Sequence, residues 1–148
     1  MLKKMKKMLK NERGLTLVEL LAVIVILGII AAIAVPSIGN IIEKSRADAV
    51  KAEGIQVLNA AKLYVSSESI PEDKTLEATD LEDYLEENDD IMESGYSVTV
   101  NDDNTLTLNG TGTKGSVTIK FANASVRDIN DAKRDAETIP APAPKEGE

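Results

Sequence analysis

RGLTLVELLAVIVILGIIAAIAVP, residues 13–36, is the stretch that decides how this chain is organised. From Leu20 to Val35 sixteen consecutive residues carry no polar side chain, and extension back to Leu15 gives 21 residues interrupted only by Thr16 and Glu19. As a helix, 21 residues rise about 31 Å, close to a bilayer core of roughly 30 Å. The pattern predicts a membrane-spanning helix, with Pro36 at its far end.

Outward from this segment the charge divides sharply. Residues 1–14 hold Lys3, Lys4, Lys6, Lys7, Lys10 and Arg13 against Glu12, a net of +5. The whole 148-residue chain is −8, so residues 15–148 carry −13. Twelve acids against Lys74 alone occupy 68–93. A basic cluster just before an apolar span predicts an N-terminus that stays in the cytoplasm while the rest crosses. The acidic body repels phosphate backbones, so no direct nucleic-acid partner is expected.

Two simpler readings fit part of this. A secretory signal peptide has a shorter apolar core and a small-residue cleavage site; Ala32 and Ala34 form a loose version, but Pro36 is badly placed for it. A plain signal anchor explains span and orientation, yet it leaves Glu19 unexplained. A carboxylate at a membrane-helix centre costs on the order of 2.5–3.5 kcal/mol, less near the interface, and such residues normally have a partner or a task.

With its basic leader, Gly14, Glu19 and Pro36, this stretch resembles the N-terminal signature of type IV pilins and of the pseudopilins of type II secretion and competence systems. The resemblance covers about 24 residues. It implies cleavage between Gly14 and Leu15 by a membrane prepilin peptidase, which also methylates the new Leu15 N-terminus. It further implies that Glu19, with Thr16 beside it, acts in assembly, and that Pro36 and Gly28 bound a segment where the helix bends. Leu15 departs from the family's usual Phe. The implied function is a structural subunit of a type IV pilus-like filament, not an enzyme. The implied partners are further pilin-like subunits, the peptidase and assembly-platform proteins of the cytoplasmic membrane. The implied location is a single-pass cytoplasmic-membrane protein with its N-terminus inside, later a surface filament. A major pseudopilin of a secretion or DNA-uptake system, and a membrane-anchored surface binding module that does not polymerise, are the alternatives.

Elementary electrostatics is consistent with that assembly role. Cleavage after Gly14 creates an α-amino group that titrates near ~7.7–8.0 in an unstructured chain. Within one helix this amine and Glu19 lie roughly 6 Å apart along the axis, so each prefers a partner on another subunit. A buried pair of this kind sets register more than it stabilises, since breaking it costs more than forming it gains.

Beyond Pro36, Ala47, Val50, Gly54, Val57, Leu58, Ala61 and Val65 recur at three- and four-residue intervals, predicting an amphipathic continuation over 37–67. A helix from about Leu15 to Ser66 would be roughly 78 Å long. Ile70-Pro71 ends the pattern. Thr79 with Glu82 reads as a capping box opening a short helix with Leu81, Tyr84 and Leu85 inward. Residues 96–100, 105–108 and 116–121 alternate with period two, separated by Asn101–Asn104 and by a longer connection over 109–115. They predict a three-stranded antiparallel meander. Its apolar face of Tyr96, Val98, Val100, Leu106, Leu108, Val117, Ile119 and Phe121 would lie under the helix stripe. The expected fold class is therefore α+β and pilin-like: a leader over 1–14, a membrane helix over 15–36, its continuation over 37–67, a small head over 68–130 and a Pro-rich extended tail over 131–148.

Absent residue types exclude much else. With no Cys and no His there is no disulfide framework, thiolate or imidazole metal site, or ordinary catalytic triad. Four aromatics are too few for a base-stacking platform. No cofactor is expected. The acidic runs at 86–90 and 101–104 offer oxygen ligands of the kind Ca²⁺ takes, but neither fits an EF-hand, and a solvated acidic surface is the favoured reading. Asn109 and Asn123 begin glycosylation sequons, read as coincidental beside a bacterial-type leader.

Overall fold

A computed structural model describes residues 1–85 and 91–140, and it does not describe the side chains of residues 2 and 5–15. The chain divides into two units, Met1–Ile41 and Ile42–Glu148, and helix α1, Leu2–Ser67, contributes to both.

The first unit is helical from Leu2 onward, so the leader continues the helix expected from Leu15. From Leu17 to Ile41 every large apolar side chain is 51–68% exposed. At about 25 cal/mol per Å², such a surface demands cover from something outside the chain. Pro36 lies inside the continuous helix. Its ring nitrogen has no hydrogen for the Ala32 carbonyl. One residue on, the Ser37 hydroxyl donates to the Ile33 carbonyl at 3.1 Å, a local side-chain bond of the sort that accompanies helix bending.

In the second unit, residues 42–67 of α1 lie on a five-stranded sheet. The strands are β1 (Thr75–Glu77), β2 (Ser97–Val100), β3 (Leu106–Lys114), β4 (Val117–Ala124) and β5 (Thr138–Ile139), in that spatial order. The first four form an antiparallel meander, and β5 pairs parallel to β4 through Lys120↔Thr138 and Phe121↔Ile139. Three strands were expected. The two edge strands are only three and two residues long, too short for alternation to show, and their neighbours supply their pairing.

The expected long connection over 109–115 is instead the outer half of β3, and the turn shrinks to Gly115 and Ser116, with Gly115 at φ +61. Gly112 sits in this strand because α1 lies so close to it. A Cβ on Gly112 would come 2.7 Å from Val50 Cγ1, and one on Gly54 of the helix would come 2.9 Å from Phe121 Cζ. The core around that contact contains Val50, Val57, Leu58 and Ala61 from α1 with Val98, Leu108, Ile119 and Phe121 from the sheet. Leu106, Val117 and Val65 are only partly buried at its rim. Leu76, Ile91, Ala124, Ile129 and Ile139 join the core from segments outside the expected apolar face.

Helix α2, Ala78–Leu81, is capped by Glu77, whose N–H donates to Asp80 Oδ2 at 2.8 Å, so the cap falls two residues before the Thr79–Glu82 box. A 3₁₀ turn over Glu82–Tyr84 follows, and the Tyr84 ring meets Tyr64 edge-on at 5.8 Å. The Tyr84 hydroxyl lies 2.7 Å from Ser67 Oγ at the end of α1.

Helix α3, Val126–Asp131, has no counterpart in the sequence reading. Ser125 caps it, its Oγ accepting the Asp128 N–H at 3.2 Å while its own N–H donates to Asp128 Oδ2 at 2.9 Å. Beyond it the chain returns to the head instead of extending into solvent. Lys51, 9% exposed, donates from Nζ to the Ala132 and Lys133 carbonyls at 2.7 and 2.9 Å. Arg134 pairs with Asp48 at 3.3 Å, and Ile139 is fully buried. Residues 131–140 therefore belong to the folded head, because one isoleucine finds a hole in the core. The rest of the expected tail, 141–148, lies outside the described residues.

Candidate processing and assembly site

The residues singled out for processing and assembly all lie on one helix, and their environment follows from its composition. Gly14 and Leu15 are helical in backbone, and their side chains lie outside the described set. Thr16 and Glu19 come three residues apart, on neighbouring turns of one face. Both are exposed. Glu19 is thus a carboxylate flanked by Val18 and Leu20, themselves 64% and 62% exposed, within a surface otherwise fit for lipid or another apolar helix.

α1 is the one helix among the described residues that is long and apolar enough to cross a membrane, and none of its apolar window is buried inside the protein. That separates it from the core helix of a soluble domain, whose apolar face is covered from within. Gly28 has nothing within 4 Å of where a Cβ would stand, so nothing in the single chain requires glycine there. Ser37, which the sequence reading did not single out, is the residue beside Pro36 whose side chain makes a hydrogen bond. Its signal was a hydroxyl four residues after a helical carbonyl.

The acidic turn over 101–104 is occupied with its own closure. Asp103 Oδ1 accepts the Thr105 N–H at 3.1 Å and the Thr105 hydroxyl at 2.6 Å, which holds its carboxyl below the usual value. Asp102 pairs with Lys74. Among the described residues no group of three or more acids is placed to hold a metal ion, and the run at 86–90 lies outside them. The two sequon asparagines bond to each other: Asn109 Nδ2 donates to Asn123 Oδ1 at 2.9 Å, and Asn109 Oδ1 accepts the Asn123 N–H at 2.8 Å.

The chain thus combines a basic leader, an exposed apolar helix with a single acid near its start, and a small α+β head. Residues 9–35 match the family described as the prokaryotic N-terminal methylation motif, which is the type IV pilin and pseudopilin-like prepilin signature. The match covers 27 of the 148 residues and contains Gly14, Leu15, Thr16, Glu19 and Gly28. The motif is that of type IV pilin-like precursors, a structural family, and it supports a precursor of that type here. No curated protein and no solved structure matches it.

Proposed function

We propose that this chain is a structural subunit of a type IV pilus-like filament. The peptidase cuts between Gly14 and Leu15 and methylates the Leu15 amine, and the mature chain polymerises through its apolar helix with further pilin-like subunits. The observation that carries the reading is the methylation motif on a helix whose apolar side chains, from Leu17 to Ile41, find no cover within the chain. In the membrane, lipid covers that surface; in a filament, neighbouring helices do. Glu19 then has a partner in the Leu15 amine of an adjacent copy, and the pairing neutralises two charges that hydrocarbon disfavours.

In this reading the precursor crosses the cytoplasmic membrane once with its basic leader inside, and the head stands outside until assembly platform proteins extract the subunit. The bend between Gly28 and Pro36 belongs to the same proposal, as does Thr16 as a neighbour of the assembly acid. A secretion or competence pseudopilin shares every step up to filament length. A non-polymerising anchored module shares the helix but has no use for Glu19.

Mass spectrometry of the mature chain from cells with an active prepilin peptidase tests the first step: the expected N-terminus is methylated Leu15, and an intact Met1 start overturns it. Electron microscopy of sheared surface material tests the second, with filaments containing this chain as the expected result.

A further inference from the structure

Charge is unevenly spread along α1 in the second unit: acids gather beyond its end, while at its entry Glu43 is exposed beside Lys44 and Asp48 is paired with Arg134. Where α1 enters it, Lys44 is exposed and Arg46 is held in place: its Nη1 donates to Ser116 Oγ at 2.9 Å. The guanidinium packs against Gly115, where a Cβ would come 2.8 Å from its Cζ. Ser67, where α1 ends, is 21 residues beyond Arg46, about 31 Å along the axis. There the contact of Tyr84 with Tyr64 and Ser67 fixes the 3₁₀ turn against the helix end. That turn carries Glu82 and Asp83, both exposed. Of the cations on the same side of the head, Lys74 is engaged by Asp102 and Lys62 is exposed on the last turns of α1.

We propose that these two ends dock on each other between copies of this chain, Lys44 and Arg46 of one copy facing Glu82 and Asp83 of another. The inference rests on the filament reading, because parallel packing of the helices points the acidic end of each head towards the basic end of a copy displaced along the axis. An antiparallel neighbour would bring like charges together, so the same charges reject the wrong polarity. An exposed ion pair adds little by itself. Here the Ser116 and Tyr84 contacts hold both patches in place beforehand, which reduces the ordering cost of each contact. The complementarity therefore acts on register and direction of growth, while the apolar helix drives association.

The chain contains no Cys, so introduced thiols report without background. Full-length chains carrying Lys44→Cys and Asp83→Cys are produced together in cells that assemble filaments, and the sheared filaments are treated with a short bis-maleimide. A cross-linked dimer containing one of each variant is expected; its absence from well-formed filaments overturns the docking. In parallel, Lys44→Glu/Arg46→Glu should lower filament yield by about tenfold, and adding Glu82→Lys/Asp83→Lys in the same chain should restore it. Normal yield from the first variant, or loss without rescue, overturns the proposal; the latter is what a basic end facing anionic lipid headgroups would give. Thermal unfolding of the detergent-extracted variants should match the wild type, since three of these four side chains are exposed; Lys44→Glu alone repeats the test where Arg46 is kept. A wild-type chain that forms no filaments sinks the filament reading itself, whereas filaments insensitive to these changes sink only this one.

Discussion

Asn109 and Asn123 close the one irregular step of the β3–β4 ladder on each other. Leu108 pairs with Ala124 but Gly110 pairs with Phe121, so β4 carries an extra residue opposite Asn109. Asn123 takes up that residue at φ 56, a left-handed conformation that asparagine tolerates better than most. Its N–H, displaced from the ladder, is recovered by Asn109 Oδ1 at 2.8 Å.

Replacement of Asn123 by Ala should therefore cost about 2–3 kcal/mol, from left-handed strain together with the lost side-chain bond. Asn123→Gly should cost about 1 kcal/mol, because glycine accepts the backbone and only the side-chain bond is lost. Urea unfolding of the detergent-solubilised chain measures both, and equal losses would show that backbone strain plays no part.

Gly54 is a point where α1 lies tightly on the sheet, with Phe121 Cζ 2.9 Å and Leu108 Cδ2 3.3 Å from the position of a Cβ. Gly54→Val should destabilise the head by about 1–3 kcal/mol through overpacking. Trimming the obstruction in the double variant Gly54→Val/Phe121→Leu should give less than the sum of the two single losses, as a double-mutant cycle would read.

Lys51 holds the C-terminal segment to α1 by charge-assisted bonds to two consecutive carbonyls. Lys51→Met keeps the stem and removes the donor, and should cost about 2–3 kcal/mol. Limited trypsin digestion gives the local readout: cleavage after Lys133 and Arg134 should accelerate before the head as a whole unfolds.

Asp128 sits below its ordinary value of 3.8, first because the Ser125 side chain and then because the Ser125 backbone N–H bond its carboxylate. A carboxyl depressed in the folded state contributes stability above its unfolded pKa, and that contribution is lost as pH falls through the lower folded value. Head stability should thus decline on acidification below about pH 4, and Asp128→Asn should flatten part of that decline. A variant with an unchanged acid limb would place the sensitivity elsewhere.

Glu19→Ala removes a charge from an exposed apolar helix surface and disturbs nothing in the head. Membrane insertion and cleavage after Gly14 should persist, while filament yield falls steeply. Normal filament yield would refute the role given to Glu19.

The helical half of the fold was open to reading because its signals are local and long. Residues 20–35 are apolar throughout, and the stripe from Ala47 to Ala61 repeats with the helical period over several turns. Strands β2, β3 and β4 showed through alternation, although β3 extends past the glycines that read as a loop. Gly110 and Gly112 punctuate a strand pattern as they would a turn; the helix lying over Gly112 and the Tyr96 side chain against Gly110 explain their place. The cap at Glu77 was displaced because Thr79–Glu82 satisfies the same spacing rule, and spacing does not choose between them.

Residue order alone determined the membrane-grade helix, the charge division around it and the N-terminal signature with Gly14, Leu15 and Glu19. Each rests on neighbours in the chain, within reach of a single helix or a short leader. The fifth strand, the return of residues 132–140 to the head and the pairing of Asn109 with Asn123 were decided only by tertiary structure. Two-residue β5 has no period to read, and Ile139 in a Pro-rich stretch is indistinguishable from a tail until the core offers it a cavity. Lys51 lies 81 residues before the carbonyl that it holds, and no local rule spans that separation.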